Sequence, residues 1–332
     1  MRLYVLEPYD VLTFGGLRHF GAGETHLQRS SFPPPIMRFF HLFKKVYGVF
    51  LWKEGQLYIP APADVVKERK KKDNYEVKIL RLSREGVPLI TGTDKAFETV
   101  GNAFISYQHF VESYSRGMEN IKVYPLEEFI SVEYRIGIGL DKDRRVAKET
   151  LLYSQEFLRL ERKERENNQL KFARAYISVL ADGRWEDAGQ ETAGLGGERR
   201  LAFVKEESIR PFEKPIQIER GKTYKFYCTS HLSVEGGLRR GSALKINSLS
   251  FELLWLFGGG VEYVSGFAKP FLQMLRPGSV LLLKALDGGG LGCRLCQIEG
   301  KPKVNVRKGI RWDMDNFLDR GWNSGILMEV ER

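Results

Sequence analysis

Cysteine is nearly missing from this chain, with three among 332 residues. An odd number cannot complete a disulfide framework, and a chain of this length buries core enough to need none, so a reducing compartment is expected. Histidine is also sparse: the five, His19, His26, His41, His109 and His231, include no His-x-x-x-His pair that would set two ligands on one metal. No apolar run approaches the roughly 18 residues of a membrane span. The opening Met1-Arg2-Leu3-Tyr4-Val5-Leu6 meets Glu7 and Asp10 before a secretory signal could develop. The chain therefore reads as soluble and cytoplasmic, with no membrane partner. A Gly-Lys-Ser/Thr phosphate loop is lacking, which disfavours a nucleoside triphosphatase, and neither a nucleophile elbow nor a Ser/His/Asp ordering stands out.

Acid falls short of base. The 42 Asp and Glu against 52 Lys and Arg leave a formal charge of +10, which suits a polyanion or an acidic partner. Apolar residues make up 42% and glycine adds 34 residues, which excludes wholesale disorder. At about 150 residues per domain, the length predicts two domains.

Residues 2–6 read as a first strand, followed by an irregular loop to Pro35. Behind Pro33-Pro34-Pro35, the positions Ile36, Phe39, Phe40, Phe43, Val46 and Tyr47 recur at three and four residues and predict a helix over 36–49. The charge run 67–74 reads as an exposed loop between short strands. Val132, Tyr134, Ile136 and Ile138 alternate with Glu133, Arg135, Gly137 and Gly139, as a half-buried strand requires. Residues 152–160 and 170–180 predict a long hairpin with a charged tip over 161–169. A short helix near Trp185 runs into a glycine-broken loop and an extended 201–204. Near Arg210-Pro211 the register restarts, which separates a domain over 1–210 from one over 211–332. In the second, 224–230, 261–264, 280–284 and 326–330 read as strands and 248–257 as strand or helix. The fold class is α+β. Two units of strand, helix, hairpin, helix and strand match a pair of ferredoxin-like (RRM-like) modules with loop and hairpin insertions, with no internal sequence repeat to mark them.

Chemistry concentrates where glycine meets arginine: the loops 194–200, 236–241 and 266–270. Backbone N–H groups in such loops can approach phosphates while a guanidinium neutralises them. Any one loop reads equally as a turn with solvated arginines, but three together point to an RNA or DNA backbone. The stretch 300–312 carries Lys301, Lys303, Arg307, Lys308 and Arg311 beside Trp312, and reads either as a strand-tracking surface or as an ordinary basic hairpin. Cys293-Arg294-Leu295-Cys296 is half a zinc site, which Cys228 or His231 would have to complete; without a second pair it reads as buried thiols, so no metal and no cofactor are expected. The pairs Asp141/Asp143 and Asp313/Asp315 read as a turn and a helix start rather than as magnesium ligands. His26, with Arg29 and Ser30 nearby, is the best-placed acid or base for RNA cleavage, yet nothing pairs it with a second proton carrier.

Several strings together resemble the RAMP superfamily of CRISPR proteins, and specifically the third subunit of the Cmr (type III-B) RNA-guided effector complex. Glu7-Pro8-Tyr9-Asp10-Val11-Leu12, then Arg18, Phe20 and Gly21, then Ser31-Phe32-Pro33-Pro34-Pro35, is similar to the family's opening. Ile136-Gly137-Ile138-Gly139-Leu140-Asp141 with Ala147 and Leu152-Tyr153 is similar to its central hairpin, and Leu195-Gly196-Gly197-Glu198-Arg199-Arg200 to its glycine-rich loop. Val264-Ser265-Gly266-Phe267, Lys269-Pro270 and Leu275-Arg276-Pro277-Gly278-Ser279-Val280 are similar to its closing stretch. The order and spacing of these strings span more than 270 residues and make the resemblance specific. Gly15-Gly16-Leu17, where relatives carry Arg-Asp-Gly, and Ile36-Met37-Arg38-Phe39, where they carry smaller residues, mark a divergent branch.

The resemblance implies a non-enzymatic subunit of two ferredoxin-like domains, acting in antiviral defence. It would hold the 5-prime tag of the CRISPR RNA, dock the large polymerase-like subunit and sit beside a neighbouring RAMP backbone subunit. By motif, Arg18, Gly196, Gly197, Arg199, Arg200, Lys269 and Arg276 become RNA-binding candidates, and Glu198 orients its loop. Arg29, Arg239 and Arg240 join them from composition alone. The rivals are a RAMP endoribonuclease that processes repeat RNA through His26, the tag-holding subunit of the related Csm complex, and an unrelated basic RNA chaperone.

Overall fold

The computed structural model describes residues 1–14, 26–69, 76–83, 86–90, 93–140, 147–166, 169–183, 191–196, 200–234, 237–264, 272–300 and 317–330. The chain opens with β1 (Arg2–Pro8), β2 (His26–Gln28), β3 (Lys45–Lys53) and β4 (Gln56–Pro60). An inserted segment follows, with β5 (Val65–Glu68), β6 (Val77–Ile79), β7 (Arg81–Leu82), β8 (Pro88–Leu89) and β9 (Phe97–Thr99). Next come β10 (Ala103–Ser106), helix α1 (Tyr107–Glu112), β11 (Val123–Pro125), β12 (Ser131–Leu140), β13 (Ala147–Arg159), β14 (Glu161–Glu166), β15 (Gln169–Arg174), β16 (Tyr176–Asp182), β17 (Thr192–Gly194) and β18 (Leu201–Glu207). The remainder is β19 (Ile216–Ile218), β20 (Thr223–Cys228), β21 (Ala243–Ile246), β22 (Leu249–Phe257), β23 (Val261–Val264), β24 (Leu272–Leu275), β25 (Val280–Ala285), β26 (Gly289–Leu291), β27 (Leu295–Gln297) and β28 (Ser324–Glu329). The molecule is mostly antiparallel sheet with few helices, an α+β composition at its strand-rich end.

Two large sheets organise it. The first runs β11-β10-β4-β3-β16-β1-β18-β17 and the second β21-β22-β25-β20-β28-β27. Their central strands repeat one pattern. Taken in chain order, β1, β3, β16 and β18 lie side by side as second, third, first, fourth, and so do β20, β22, β25 and β28, every neighbouring pair antiparallel. The repeat that the sequence does not display is thus present in strand order.

Side chains alternate faces along a strand, and here both faces are buried. Tyr4 and Leu6 of β1 join one core with Val49 and Leu51 of β3 and Ile177 and Val179 of β16, against Phe32, Ile36, Phe39 and Phe43. Leu3, Val5, Phe50, Trp52 and Leu180 point the other way, onto Tyr227, Val280, Leu282, Ile326 and Met328 of the second sheet. The far face of that sheet carries Phe226, Ile246, Leu281, Leu283 and Leu327 against Ile216, Ile218 and Leu232. The layers are therefore core, sheet, shared core, sheet and core. Tyr227 donates to the Pro60 carbonyl at 2.7 Å and Thr229 Oγ1 to the Tyr47 carbonyl at 2.7 Å across the shared layer. Gly321, at φ +98°, lies where a Cβ would collide with the Val46 carbonyl.

This double burial explains a correction. The helix expected over 36–49 is a single 3-10 turn, Ile36–Phe39, and Lys45–Lys53 is a central strand. A strand covered on both faces reads as a nearly continuous apolar run, and Val-Tyr-Gly-Val-Phe-Leu-Trp supplied matches to a helical period as readily as to alternation. The hairpin expected between 152–160 and 170–180 does not form: β13 pairs with β12, and β16 lies between β1 and β3 in the first sheet. Only the charged segments pair with each other, as β14–β15, with the hydrogen bond from Ala175 N–H to Leu160 O at 2.9 Å at their base. Residues 248–257 resolve to strand β22. In the charge run, Lys67 and Glu68 belong to β5, while 70–74 lie outside the described residues, as does most of the stretch near Trp185.

Candidate nucleic-acid interface

The long hairpin β12–β13 stands on the first core through Leu158, with Phe157 buried next to it, and β2 pairs with β13 in parallel. Leu12 exchanges backbone hydrogen bonds with Leu158, so residues 11–14 extend the same surface. The alternation along β12 has the opposite sense from the expected one. Val132, Tyr134 and Ile136 are 48%, 62% and 71% exposed. It is Arg135 that turns inward, its guanidinium 4.7 Å above the Phe157 ring. Arg135 and Arg159 both grip Glu133, at 2.7 and 2.8 Å, which frees a charged residue to face the hairpin's inner side. Hydrogen bonds from Arg159 and then Arg135 hold the Glu133 carboxyl below the usual carboxylate range.

The glycine-rich loop packs against this hairpin. Leu195, 1% exposed, anchors it in the core, and its N–H donates to the Arg200 carbonyl at 2.7 Å, closing the loop. Gly196 takes φ +73°, and a Cβ there would stand 3.0 Å from the Thr13 carbonyl oxygen. That combination of left-handed backbone and close approach favours glycine. Arg200 pairs with Asp10 and lies 5.9 Å from the Phe157 ring, on the same ring as Arg135. Thr13 Oγ1 accepts from Gln155 at 3.2 Å, Phe14 N–H donates to Ser30 Oγ at 2.8 Å, and Ser30 N–H donates to Glu156 at 3.3 Å. These bonds bring the opening segment, the hairpin and the glycine loop together, with Arg29 exposed beside them. A cavity of about 320 Å³ at the edge is lined by Tyr9, Asp10, Arg159, Arg174 and Tyr176, among others.

Arg276 sits elsewhere, as a brace. Its Nη2 donates to the Phe32 carbonyl at 2.8 Å, its Nη1 to Asn102 at 3.4 Å, and its Nε lies 3.5 Å from Glu262. Glu262 also accepts from Ser31 Oγ at 2.5 Å and lies 3.2 Å from His231 Nε2. Burial pushes the Glu262 carboxyl up, but the hydrogen bonds from His231 and Ser31 and the nearby Arg276 charge outweigh it and leave its pKa lowered. This network ties the proline run to β23. Arg239 and Arg240 are exposed in a turn beside the second sheet and share no contact with the Gly196–Arg200 group among the described residues. Arg18, Gly197, Glu198, Arg199 and Lys269 lie outside the described residues, as do the stretch 301–312 and both aspartate pairs. His26 lies in β2, paired with Tyr153.

Sequence reasoning missed Tyr9, Tyr134, Arg135, Arg159 and Arg174. Tyr9 is 65% exposed, and the outward aromatic Tyr134 beside inward-facing arginines is what the structure adds. The signal was present in the alternation of β12, whose charged partners are carried inward by an aromatic ring and a shared carboxylate. Burial pushes the thiols of Cys228 and Cys296 up, and Cys293 Sγ donates to the Phe212 carbonyl at 3.1 Å. Among the described residues no group of three His, Cys, Asp or Glu side chains could hold a metal, and no helix is long and apolar enough to cross a membrane.

No curated protein sequence matches the chain. Among solved structures, a chain of the type III-B Cmr-beta complex bound to cognate target RNA, determined by cryo-EM, has a TM-score of 0.43 at 15% identity, covering 85% of this chain and 86% of that one. A chain of the same complex with target RNA and AMPPnP, state 1, has a TM-score of 0.40 at 15% identity with the same coverage. The model of a family described as CRISPR-associated protein (Cas_Cmr3) matches residues 43–289, most of the sequence. The chain belongs to this Cas_Cmr3 family of CRISPR-associated proteins.

Proposed function

We propose that the protein is a non-catalytic RNA-holding subunit of a type III-B Cmr effector complex. It holds the 5-prime tag of the CRISPR RNA, docks the large polymerase-like subunit and abuts a neighbouring backbone subunit. Family membership supports the setting. The observation that carries the RNA role is the outward stripe Val132, Tyr134 and Ile136 on a hairpin that also packs the Gly196–Arg200 loop. Exposed aromatics stack splayed bases while guanidiniums and glycine-loop N–H groups meet phosphates, and no reactive group is needed. The strand order of each sheet is that of the ferredoxin-like unit, with loops and inserted hairpins in place of its helices, which supports the double-module reading.

The test is a gel shift with 5-prime-tagged guide RNA and a scrambled-tag control, at two salt concentrations, with and without the large subunit, scoring cleavage in the same lanes. Tag-dependent retention of intact RNA is the expected result. Cut RNA lost in His26→Ala would replace the proposal with a ribonuclease, and tag-blind binding would reduce the protein to a basic surface.

A further inference from the structure

A cavity of about 920 Å³ opens between the inserted segment and the second sheet, far from the proline-run brace and from the glycine loop in the contacts it makes. Its walls mix aliphatic and polar groups: Leu80 and Leu82 from the insertion and Leu254 from the sheet, over the buried Leu282 and Met328, with charged side chains at the rim. A neighbouring cavity of about 360 Å³ shares Ile79, Arg81 and Gly117 with it, so the two form one groove. Exposed apolar side chains stand along this groove, Leu89 in its lining and Val87 and Met118 next to lining residues. Apolar side chains gathered along a groove give a partner a surface to cover.

Charge at the rim selects the occupant. Lys78, Lys222 and Lys225 are each matched by carboxylates, Glu76 and Glu119, Glu219 and Glu329, and Asp64 respectively. Two guanidiniums are not. Arg81 donates to the Gly117 carbonyl at 3.1 Å, and no described carboxylate pairs with it. Arg240 is exposed and lies so close to Gly86 that a Cβ there would collide with its guanidinium, yet it too has no acidic partner among the described residues. A groove with aliphatic side chains and two arginines that have no acidic partner among the described residues complements aliphatic side chains flanked by carboxylates. Single-stranded RNA fits less well, because it needs an aromatic platform. The one aromatic of the described lining, Tyr114, is 1% exposed, with Lys225 above its ring and its hydroxyl on Asp64.

We propose that this groove is the docking site for an extended acidic segment of another protein subunit, with aliphatic side chains seated on Leu80, Leu82 and Leu254 and carboxylates on Arg81 and Arg240. It rests on the reading of this chain as a subunit of an effector complex. The test places the photo-crosslinker p-benzoylphenylalanine at position 82 of the full chain, in the complex reconstituted with guide RNA, and identifies the linked peptides by mass spectrometry. The expected product is a link to an Asp- or Glu-bearing segment of a different subunit. Its yield should fall about tenfold in the Arg81→Glu/Arg240→Glu variant, since both side chains are exposed and reversal acts on the partner rather than on folding; an unchanged melting temperature verifies this. Links to RNA, to a second copy of this chain or to a segment without acidic residues would overturn the proposal, as would a fully assembled complex with no link at all. If the unlabelled chain entered no complex, the subunit reading itself would fall; if the complex formed and the link went elsewhere, only the groove assignment would.

Discussion

Removing the Asp64 carboxylate should be among the costliest single changes in this protein. Asp64 is fully buried at the start of the insertion, where it accepts from Tyr114 at 2.8 Å and from Lys225 Nζ at 2.6 Å, and Lys225 belongs to a central strand of the second sheet. Burial, followed by the Asp64 charge, drives the Tyr114 hydroxyl well above its ordinary pKa, so it remains a donor. Asp64→Ala leaves an ammonium with 11% of its side chain exposed and a buried hydroxyl without their acceptor. Breaking such a pair from one side costs about 3–5 kcal/mol. At about 2–4 °C per kcal/mol for a large domain, the melting temperature should fall by about 6–20 °C. Asp64→Ala with Lys225→Met should recover much of that loss, since a buried pair replaced by apolar groups is often neutral. Thermal unfolding of the wild type, the two single variants and the double variant gives the coupling directly. The reasoning is refuted if Asp64→Ala melts within a degree or so of wild type, or if the double variant is no more stable than Asp64→Ala alone.

Other positions test other links. Tyr134→Ala, at an exposed side chain, should leave the melting temperature unchanged and weaken tagged-RNA binding by about 1–3 kcal/mol, roughly 5- to 150-fold; equal affinity would remove the stacking role. Arg200→Ala should lower the salt slope of RNA binding by about one, read from titrations at several salt concentrations. The Glu262 pKa is lowered in the folded protein, so its contribution is present above the ordinary glutamate pKa of about 4.3 and is lost as pH falls through the lower folded value. Glu262→Gln should therefore flatten the acid side of the stability profile, and an unchanged profile in denaturant titrations would discount the brace. Gly321→Ala should destabilise severely, because its φ is +98° and the Val46 carbonyl occupies the space a Cβ needs; soluble protein with a wild-type melting curve would contradict that geometry.

Strands were legible where charge, proline or glycine bounds a short apolar run: 2–6, 201–204, 224–230, 261–264 and 280–284 all lie within or across observed strands. Lys45–Lys53 was not, because burial on both faces erases the polar half of the alternation. The site was half legible. Glycine and arginine in one short string pointed to Gly196 and Arg200, and the structure sets both against Phe157 and Thr13. Arg276 was drawn by the same logic, yet its three partners come from Phe32, Asn102 and Glu262, distant in sequence, and no local pattern announces such a brace. The outward stripe of β12 misled for a related reason. Alternation fixes that two faces differ, and only tertiary packing decides which face the core receives.

The layering constrains where RNA can lie. RNA-recognition modules of this strand order display aromatic residues on an open sheet face, where bases stack. Among the described residues, the central strands of neither sheet leave such a face open. The first is covered by the proline-run segment on one side and by the second sheet on the other, and the second is covered on its far side by β19, β26 and the segment that carries Leu232. Its aromatics, Tyr224, Phe226 and Phe251, are fully buried and hold the core. On the proposed function, a chain with two such sheets and a charge of +10 would meet its RNA at what projects from them. The hairpin β12–β13 is one such element, with Tyr134 and Ile136 among the most exposed large apolar residues of the described chain. Its root is bound to the glycine loop through Arg135, Phe157 and Arg200. A base stacked on the stripe and a phosphate at the loop would then be held by one rigid unit, so Phe157→Ala, which touches neither, should weaken RNA binding by loosening both arginines.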